Sequence, residues 1–235
     1  MNAWDHPLIK KGMPLQLAKR RARIAAGEKP LGWKVGLGAP AMMEKLGLKA
    51  PIVGYLMQSG LVPSGGAVSL KGFVRPVAEA EIAVRMAHTP KPGASADEVR
   101  AAIKDIMSAI EIADMDIAPT PDNLDAILEG GVYQRHVVFG DESRAGGGLA
   151  GITSRSSRNG KLVEATTNPE ALTGRVVDTV AHVANTLAAY GEKLSAGDII
   201  IAGSITVPQL IEAGETDYAH ALEPIGEVRI AFRYD

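Results

Sequence analysis

Glu79 and Glu81 are the residues whose types and spacing point most directly to chemistry, two apart in the apolar run VAEAEIAVRM. In a strand, residues i and i+2 share a face, with Cβ atoms roughly 6–7 Å apart. Two carboxylates that close repel unless a cation or a proton lies between them. A third, Glu111, interrupts another apolar stretch, SAIEIADM. Three acidic oxygen ligands from two elements suit a hard divalent cation such as magnesium or manganese. The residues alone leave a second reading open. Alternation with Ile82, Val84, Ile110 and Ile112 also describes a half-buried edge strand whose carboxylates face water.

Other side chains could complete such a centre. Lys34, in GWKVGLG, sits between glycines, where backbone can approach a ligand closely. It can offset a carboxylate's charge, move a proton, or simply pair with a carboxylate to hold the fold. Glu129 and His136 flank or enter the apolar segment around VVF and are candidate acid–base groups, although a histidine at a strand edge also serves structure. Gln58 and Gln134 can position water without titrating, or be satisfied by nearby backbone. Ser204 and Thr206 follow an apolar run at Gly203. Their hydroxyls can grip a carboxylate or stabilise the turn itself. Ser204 has no matched base and no elbow motif, so no covalent nucleophile is expected. Among the remaining histidines, His6 reads as part of a flexible start, His182 as packed on a helix and His220 as surface.

The elements that must position these groups alternate along the chain. An imperfect apolar stripe through 14–26 predicts a helix ended by Gly27, and a short helix is expected around APAMMEKLGL. There Met42, Met43 and Leu46 suit the core, a partner or a pocket. IVGYLM, AVSL and AEAEIAVRM read as strands. Ser95 and Glu98 have capping-box spacing, and Val99, Ile103, Ile106 and Ile110 form a helical stripe over 95–109 that fades before Glu111, where IEIADMDI reads better as a strand. Residues 132–139 and 148–155 look extended, and Asn159-Gly160 predicts a hairpin. A helix over about 175–190 precedes the buried strand of LSAGDIIIAGS, and PIGEVRIAFRYD alternates as a strand. A strand-rich centre with interrupting helices argues α+β.

Composition removes several classes. The 235 residues carry 25 basic and 27 acidic side chains, net −2, without the basic excess of a nucleic-acid binder. There is no cysteine, which excludes disulfides and thiolate zinc sites. MNAWDHPLIKK lacks a signal-peptide core and no run spans a membrane, so a cytoplasmic protein is expected. GWKVGLG and AGGGLAG lack the spacing of nucleotide loops.

Taken together, the landmarks resemble the 2-keto-4-pentenoate hydratase and 4-oxalocrotonate decarboxylase family of the fumarylacetoacetate hydrolase superfamily. GWKVGLGAPAMMEKLGLKAPIVGYL is similar to its lysine segment, EAEIAVRM to its paired-glutamate segment, AIEIADM to its third-ligand segment and LSAGDIIIAGSIT to its late loop. The resemblance implies a mixed β-sheet roll with a small N-terminal helical part, here 1–60 followed by a catalytic domain over 61–235. It also implies a homo-oligomer, magnesium or manganese held by Glu79, Glu81 and Glu111, an active-site Lys34, and Ser204 and Thr206 at the substrate end. The implied activity is that of a lyase on a small 2-oxo or 2-hydroxydienoic acid, foremost hydration of 2-hydroxypenta-2,4-dienoate. Decarboxylation, acylpyruvate hydrolysis and non-catalytic acid binding are the alternatives. Three positions depart from the family pattern: Ser59 stands where the hydratases often have aspartate, Glu129 is nearest the acid of their DNASS-like stretch, and Arg175 replaces a histidine.

Overall fold

The computed structural model describes residues 2–235, and its elements follow the punctuation of the chain. Helix α1 (Pro7–Ala25) starts earlier than the apolar stripe predicts, because Pro7 occupies the first turn and the His6 ring accepts from the Leu8 N–H at 3.3 Å. Strand β1 (Pro30–Gly36), helix α2 (Pro40–Leu46) and strand β2 (Ile52–Met57) follow, α2 ending on left-handed Gly47. Next come β3 (Leu61–Val62), β4 (Ala67–Ser69), β5 (Pro76–Met86), α3 (Ala96–Ala102), β6 (Ile103–Asp114), α4 (Leu124–Glu129), β7 (Gln134–Phe139) and β8 (Arg144–Ala145). The chain closes with β9 (Thr153–Arg158), β10 (Lys161–Thr166), α5 (Val176–Ala189), β11 (Ile199–Ser204), β12 (Gln209–Leu210), β13 (Asp217–Glu223) and β14 (Gly226–Arg233).

These strands form two mixed sheets. The larger runs β2-β1-β11-β5-β6-β7-β3, with β12 added to β5 and β8 to β6. The smaller runs β10-β9-β13-β14-β4. The fold is α+β with a curled sheet and an N-terminal helical region. The position 60/61 falls inside the larger sheet, which takes β1 and β2 from one side and β5 to β7 from the other.

The face of β5 and β6 that carries Ala78, Ala80, Ile110 and Ile112 packs on Val68, Tyr218, Val228 and Ile230 of the smaller sheet. Farther along, Ile82, Val84 and Ile106 share a core with Val99, Val180, Val183 and Leu187 of α3 and α5. The opposite face is lined by Ala83, Met107, Ala109, Val137, Ile199 and Ile201. Period-two alternation therefore commits Glu79, Glu81 and Glu111 to this second face.

One expected element changes type. The capping box at Ser95 forms, but α3 stops at Ala102 and Ile103 begins β6. Ile103, Ile106 and Ile110 fit a helical stripe and a strand covered on both faces equally well. Pairing with the full length of β5 on one side and with β7 on the other decides for the strand. The extended reading of 148–155 holds only from Thr153, and that of 132–139 only from Gln134. Asn159 and Gly160, at φ 50° and 70°, form the turn between β9 and β10.

Candidate active site and metal centre

Register brings the three carboxylates together. Glu79 lies directly opposite Glu111, and Glu81 lies opposite Ala109 on one side and Ser204 on the other. One oxygen from each carboxylate can be chosen so that all three lie within 4.8 Å of one another. Glu81 and Glu111 are fully buried at 0 % exposure, and Glu79 is partly exposed. Lys34 reaches across from β1, at 3 % exposure, and bonds through Nζ to Glu111 Oε1 and, at 3.0 Å, to the Val132 carbonyl. The Gly203 N–H donates to Glu81 Oε2 at 2.8 Å.

The balance of charge is unfavourable without a further cation: three acids face one ammonium. Burial first, then the neighbouring Glu111, pushes the Glu79 carboxyl up to about 7. Burial and both other glutamates drive Glu81 well above the usual carboxylate range. Burial also raises Glu111, against the pull of Lys34. Glu81 Oε1 and Glu111 Oε2 are buried with no hydrogen-bond partner. Opposite oxygens around a hard cation are ~4–5 Å apart at ordinary bond lengths, so the set fits a divalent ion. An acid cluster with spare lone pairs is what such an ion requires.

A pocket opens from this cluster, bounded by Lys34, Glu79 and Ser204 and walled by Leu37, Met42, Met115, Tyr133, Leu172 and Thr173. Ser204 Oγ and Thr206 Oγ1 are buried and unpartnered, so both hydroxyls are available to a ligand or its water, although Thr206 is not itself a lining residue. Backbone strain concentrates here. Among the described residues, Leu37, Val132, Tyr133 and Asn159 are the non-glycine positions with positive φ, and the first three line the pocket. For β-branched Val132, φ of 56° costs ~1–3 kcal/mol, which surrounding structure must offset.

Several expected residues lie elsewhere. Glu129 ends α4 and pairs with Lys19 at 2.9 Å, outside the pocket. His136 is opposite Ile112, on the other face of the sheet from Glu111, where its ring stacks on Phe73 at 6.3 Å. Burial holds its pKa below the usual histidine range. Ser59 bonds Glu28 and accepts from Arg23 at 3.1 Å, and with Gln134 it lines a separate polar cavity beyond the Gly130–Tyr133 turn. Gln58 is exposed and lines neither cavity. Arg175 precedes α5 at the surface, paired with Asp178. His182 is packed as expected, bonded to the Pro51 carbonyl at 2.8 Å. His6 is the N-cap of α1, and His220 is fully buried rather than on the surface, because β13 faces the larger sheet. Val132, Tyr133, Leu37 and Thr173 were not singled out by sequence; the Gly130-Gly131 pair was the available signal of a turn at the first two.

The C-terminal-domain model of fumarylacetoacetate (FAA) hydrolase matches residues 34–232. A 4-oxalocrotonate decarboxylase of Pseudomonas sp. (strain CF600) is 30% identical over 202 residues, 83% of this chain and 75% of the relative. A 2-hydroxyhexa-2,4-dienoate hydratase of Comamonas testosteroni is 28% identical over 235 residues, 97% of this chain and 88% of the relative. The solved 4-oxalocrotonate decarboxylase of Pseudomonas putida G7, complexed with magnesium and adipate, superposes with TM-score 0.82 at 29% identity, covering 93% of this chain and 83% of that one. With the acid cluster, the lysine and the curled sheet in place, the chain belongs to the fumarylacetoacetate hydrolase superfamily, in its 4-oxalocrotonate decarboxylase and 2-keto-4-pentenoate hydratase family.

Proposed function

We propose that this protein is a divalent-cation-dependent lyase, with magnesium or manganese as the ion, that removes CO2 from a 4-oxalocrotonate-type 2-oxo diacid. The observation that carries the reading is the pocket's lining: among the described residues that line it, Tyr133 is the only titratable side chain beside Lys34 and Glu79, and none is a histidine or aspartate. Hydration needs a group that activates water at the far end of the diene. Decarboxylation needs only a sink for an electron pair and a proton donor.

Glu79, Glu81 and Glu111 would hold the cation, which when bound supplies Lewis acidity toward a 2-oxo acid. In the reaction, the electron pair of the breaking C–C bond moves through the conjugated chain toward the 2-oxygen as CO2 departs. One proton then returns to give 2-hydroxypenta-2,4-dienoate. Lys34 has three N–H donors. Glu111 and Val132 take two, so the third is free to face the pocket and stabilise negative charge or deliver the proton. The unpartnered hydroxyls of Ser204 and Thr206 suit the substrate's carboxylate. Leu37, Met42 and Leu172 give the remainder of the chain an apolar wall that excludes water.

A second reading is hydration of a 2-hydroxydienoate, supported by the hydratase relative that matches nearly the whole chain. The test is a panel of 2-oxo diacids, 2-hydroxydienoates and acylpyruvates with added magnesium or manganese, products identified by mass. Cation-dependent loss of CO2 is expected. Water addition alone would replace the main reading with the second, acylpyruvate cleavage would make the protein a hydrolase, and binding without turnover would make it an acid binder. Exposed Leu162 and Val163 on edge strand β10 support self-association, which sedimentation measures.

A further inference from the structure

The geometry points to Val132 as the positioning residue for Lys34, an inference that rests on the active-site role proposed above for that lysine. Gly131, Val132 and Tyr133 have φ of 82°, 56° and 66°, a left-handed run that turns the Val132 carbonyl onto Lys34 Nζ at 3.0 Å. A strained turn keeps such a shape only when neighbours over-determine it. Here four contacts do so. The Gly131 N–H donates to the Leu128 carbonyl and the Val132 N–H to the Ile127 carbonyl, both at 2.9 Å. The Tyr133 carbonyl accepts from the Asp114 N–H at 3.0 Å, and its hydroxyl donates to the Ile117 carbonyl at 2.8 Å.

The fifth constraint is the Val132 side chain itself, a plug with 1 % exposure. It fits two sites where β1 and β2 carry glycine. A Cβ on Gly36 would stand 2.6 Å from Val132 Cγ1, and a Cβ on Gly54 would stand 3.1 Å from Val132 Cγ2 and 2.9 Å from Lys34 Cγ. Gly54 is also the direct cross-strand partner of Lys34. The branched side chain and the lysine stem therefore share one slot cleared of side chains. The plug sets the turn, the turn aims the carbonyl, and the carbonyl with Glu111 fixes the ammonium so that its third donor meets the pocket. Lys34 without this carbonyl keeps Glu111 as its anchor but loses the direction of its free N–H.

The test is a double-mutant cycle, measured with 4-oxalocrotonate and saturating magnesium, or with 2-hydroxypenta-2,4-dienoate if the panel selects hydration. Val132→Ala removes the plug's branches. It should lower kcat by about 10–100-fold, with KM and magnesium affinity within about twofold of wild type, as expected for misdirection of a group. Val132→Thr keeps the branched shape and should restore most of the turnover. In a Lys34→Met background, Val132→Ala should cause no further loss, because the group it directs is gone. Gly36→Ala presses the same plug from the opposite side and should repeat the Val132→Ala phenotype if that variant melts too early to assay. An equal fold-loss from Val132→Ala with and without Lys34 would overturn the positioning role while leaving Lys34 in the site. Wild-type turnover in Lys34→Met alone would instead overturn the reading on which it rests.

Discussion

Two buried polar clusters touch β6 within two residues of each other, and they are built on opposite rules. At Glu111, carboxylates crowd one ammonium and leave Glu81 Oε1 and Glu111 Oε2 without partners. At Ala109, the carbonyl accepts from His220 Nδ1 at 3.0 Å, and His220 Nε2 meets Ser154 Oγ at 3.0 Å. A carbonyl can only accept, so Nδ1 carries the proton and Nε2 accepts from the serine hydroxyl. Every histidine nitrogen is used. The closed cluster ties the smaller sheet to the larger and needs nothing more. The open one is stable only with a ligand or with added protons. Burial of polar groups marks neither as functional; unused hydrogen-bonding capacity beside a pocket that Lys34, Glu79 and Ser204 line separates them.

The contrast breaks most visibly at Lys34. Lys34→Met keeps much of the stem's volume and removes the ammonium, and turnover should fall about 10²–10⁴-fold while the cation still binds. Steady-state kinetics with metal analysis checks this, and normal turnover and affinity in a folded, loaded variant would remove Lys34 from the chemistry.

Glu81→Gln comes next. It should weaken magnesium and manganese binding by about 100-fold or more, since a charged ligand becomes a neutral one. It should also raise the melting temperature of the metal-free protein near pH 7, because the amide is buried without the proton uptake that the raised Glu81 carboxyl requires on folding. Calorimetric titration showing wild-type affinity would exclude Glu81 as a ligand.

His220→Ala should do the reverse. It leaves a cavity and an unpaired Ser154 hydroxyl and carbonyl, at about 2–4 kcal/mol of stability, with cation affinity unchanged. Denaturant melts and the same titration decide it; a large drop in affinity would mean that the closed cluster also shapes the centre.

The smallest effects are in pH dependence, and the two clusters have opposite signs. Glu79, with its pKa raised from 4.5 to about 7, and Glu81, raised well above the usual carboxylate range, bind more protons folded than unfolded. Their contribution is therefore full below 4.5 and is lost as pH rises through the folded values. A divalent cation replaces those protons, so the gain in melting temperature on adding magnesium should grow from pH 5.5 to 8. His220, lowered from 6.5 to about 4 by burial, contributes stability that is present above 6.5 and lost as pH falls toward 4. Melting curves across pH, with and without magnesium, test both signs. A magnesium increment independent of pH would contradict the proton-for-cation exchange.

Sequence alone identified the three acids, because an i, i+2 carboxylate pair inside an apolar run and a third acid in another are local facts, and a strand's period places a pair on one face. It also located the Asn159-Gly160 turn and the start of α3, where short-range capping and left-handed backbone decide the outcome. Tertiary structure decided where α3 ends, since Ile103, Ile106 and Ile110 satisfy both periods until β5 and β7 supply partners. It also separated His136, Ser59 and Gln134 from the acids: one residue of strand register reverses a face, and a turn divides two cavities. His220 is buried because a whole second sheet lies over β6, a contact between positions 111 residues apart. Val132 was the least legible, since its role depends on a strained φ and on two glycines from other strands that no pattern along the chain connects.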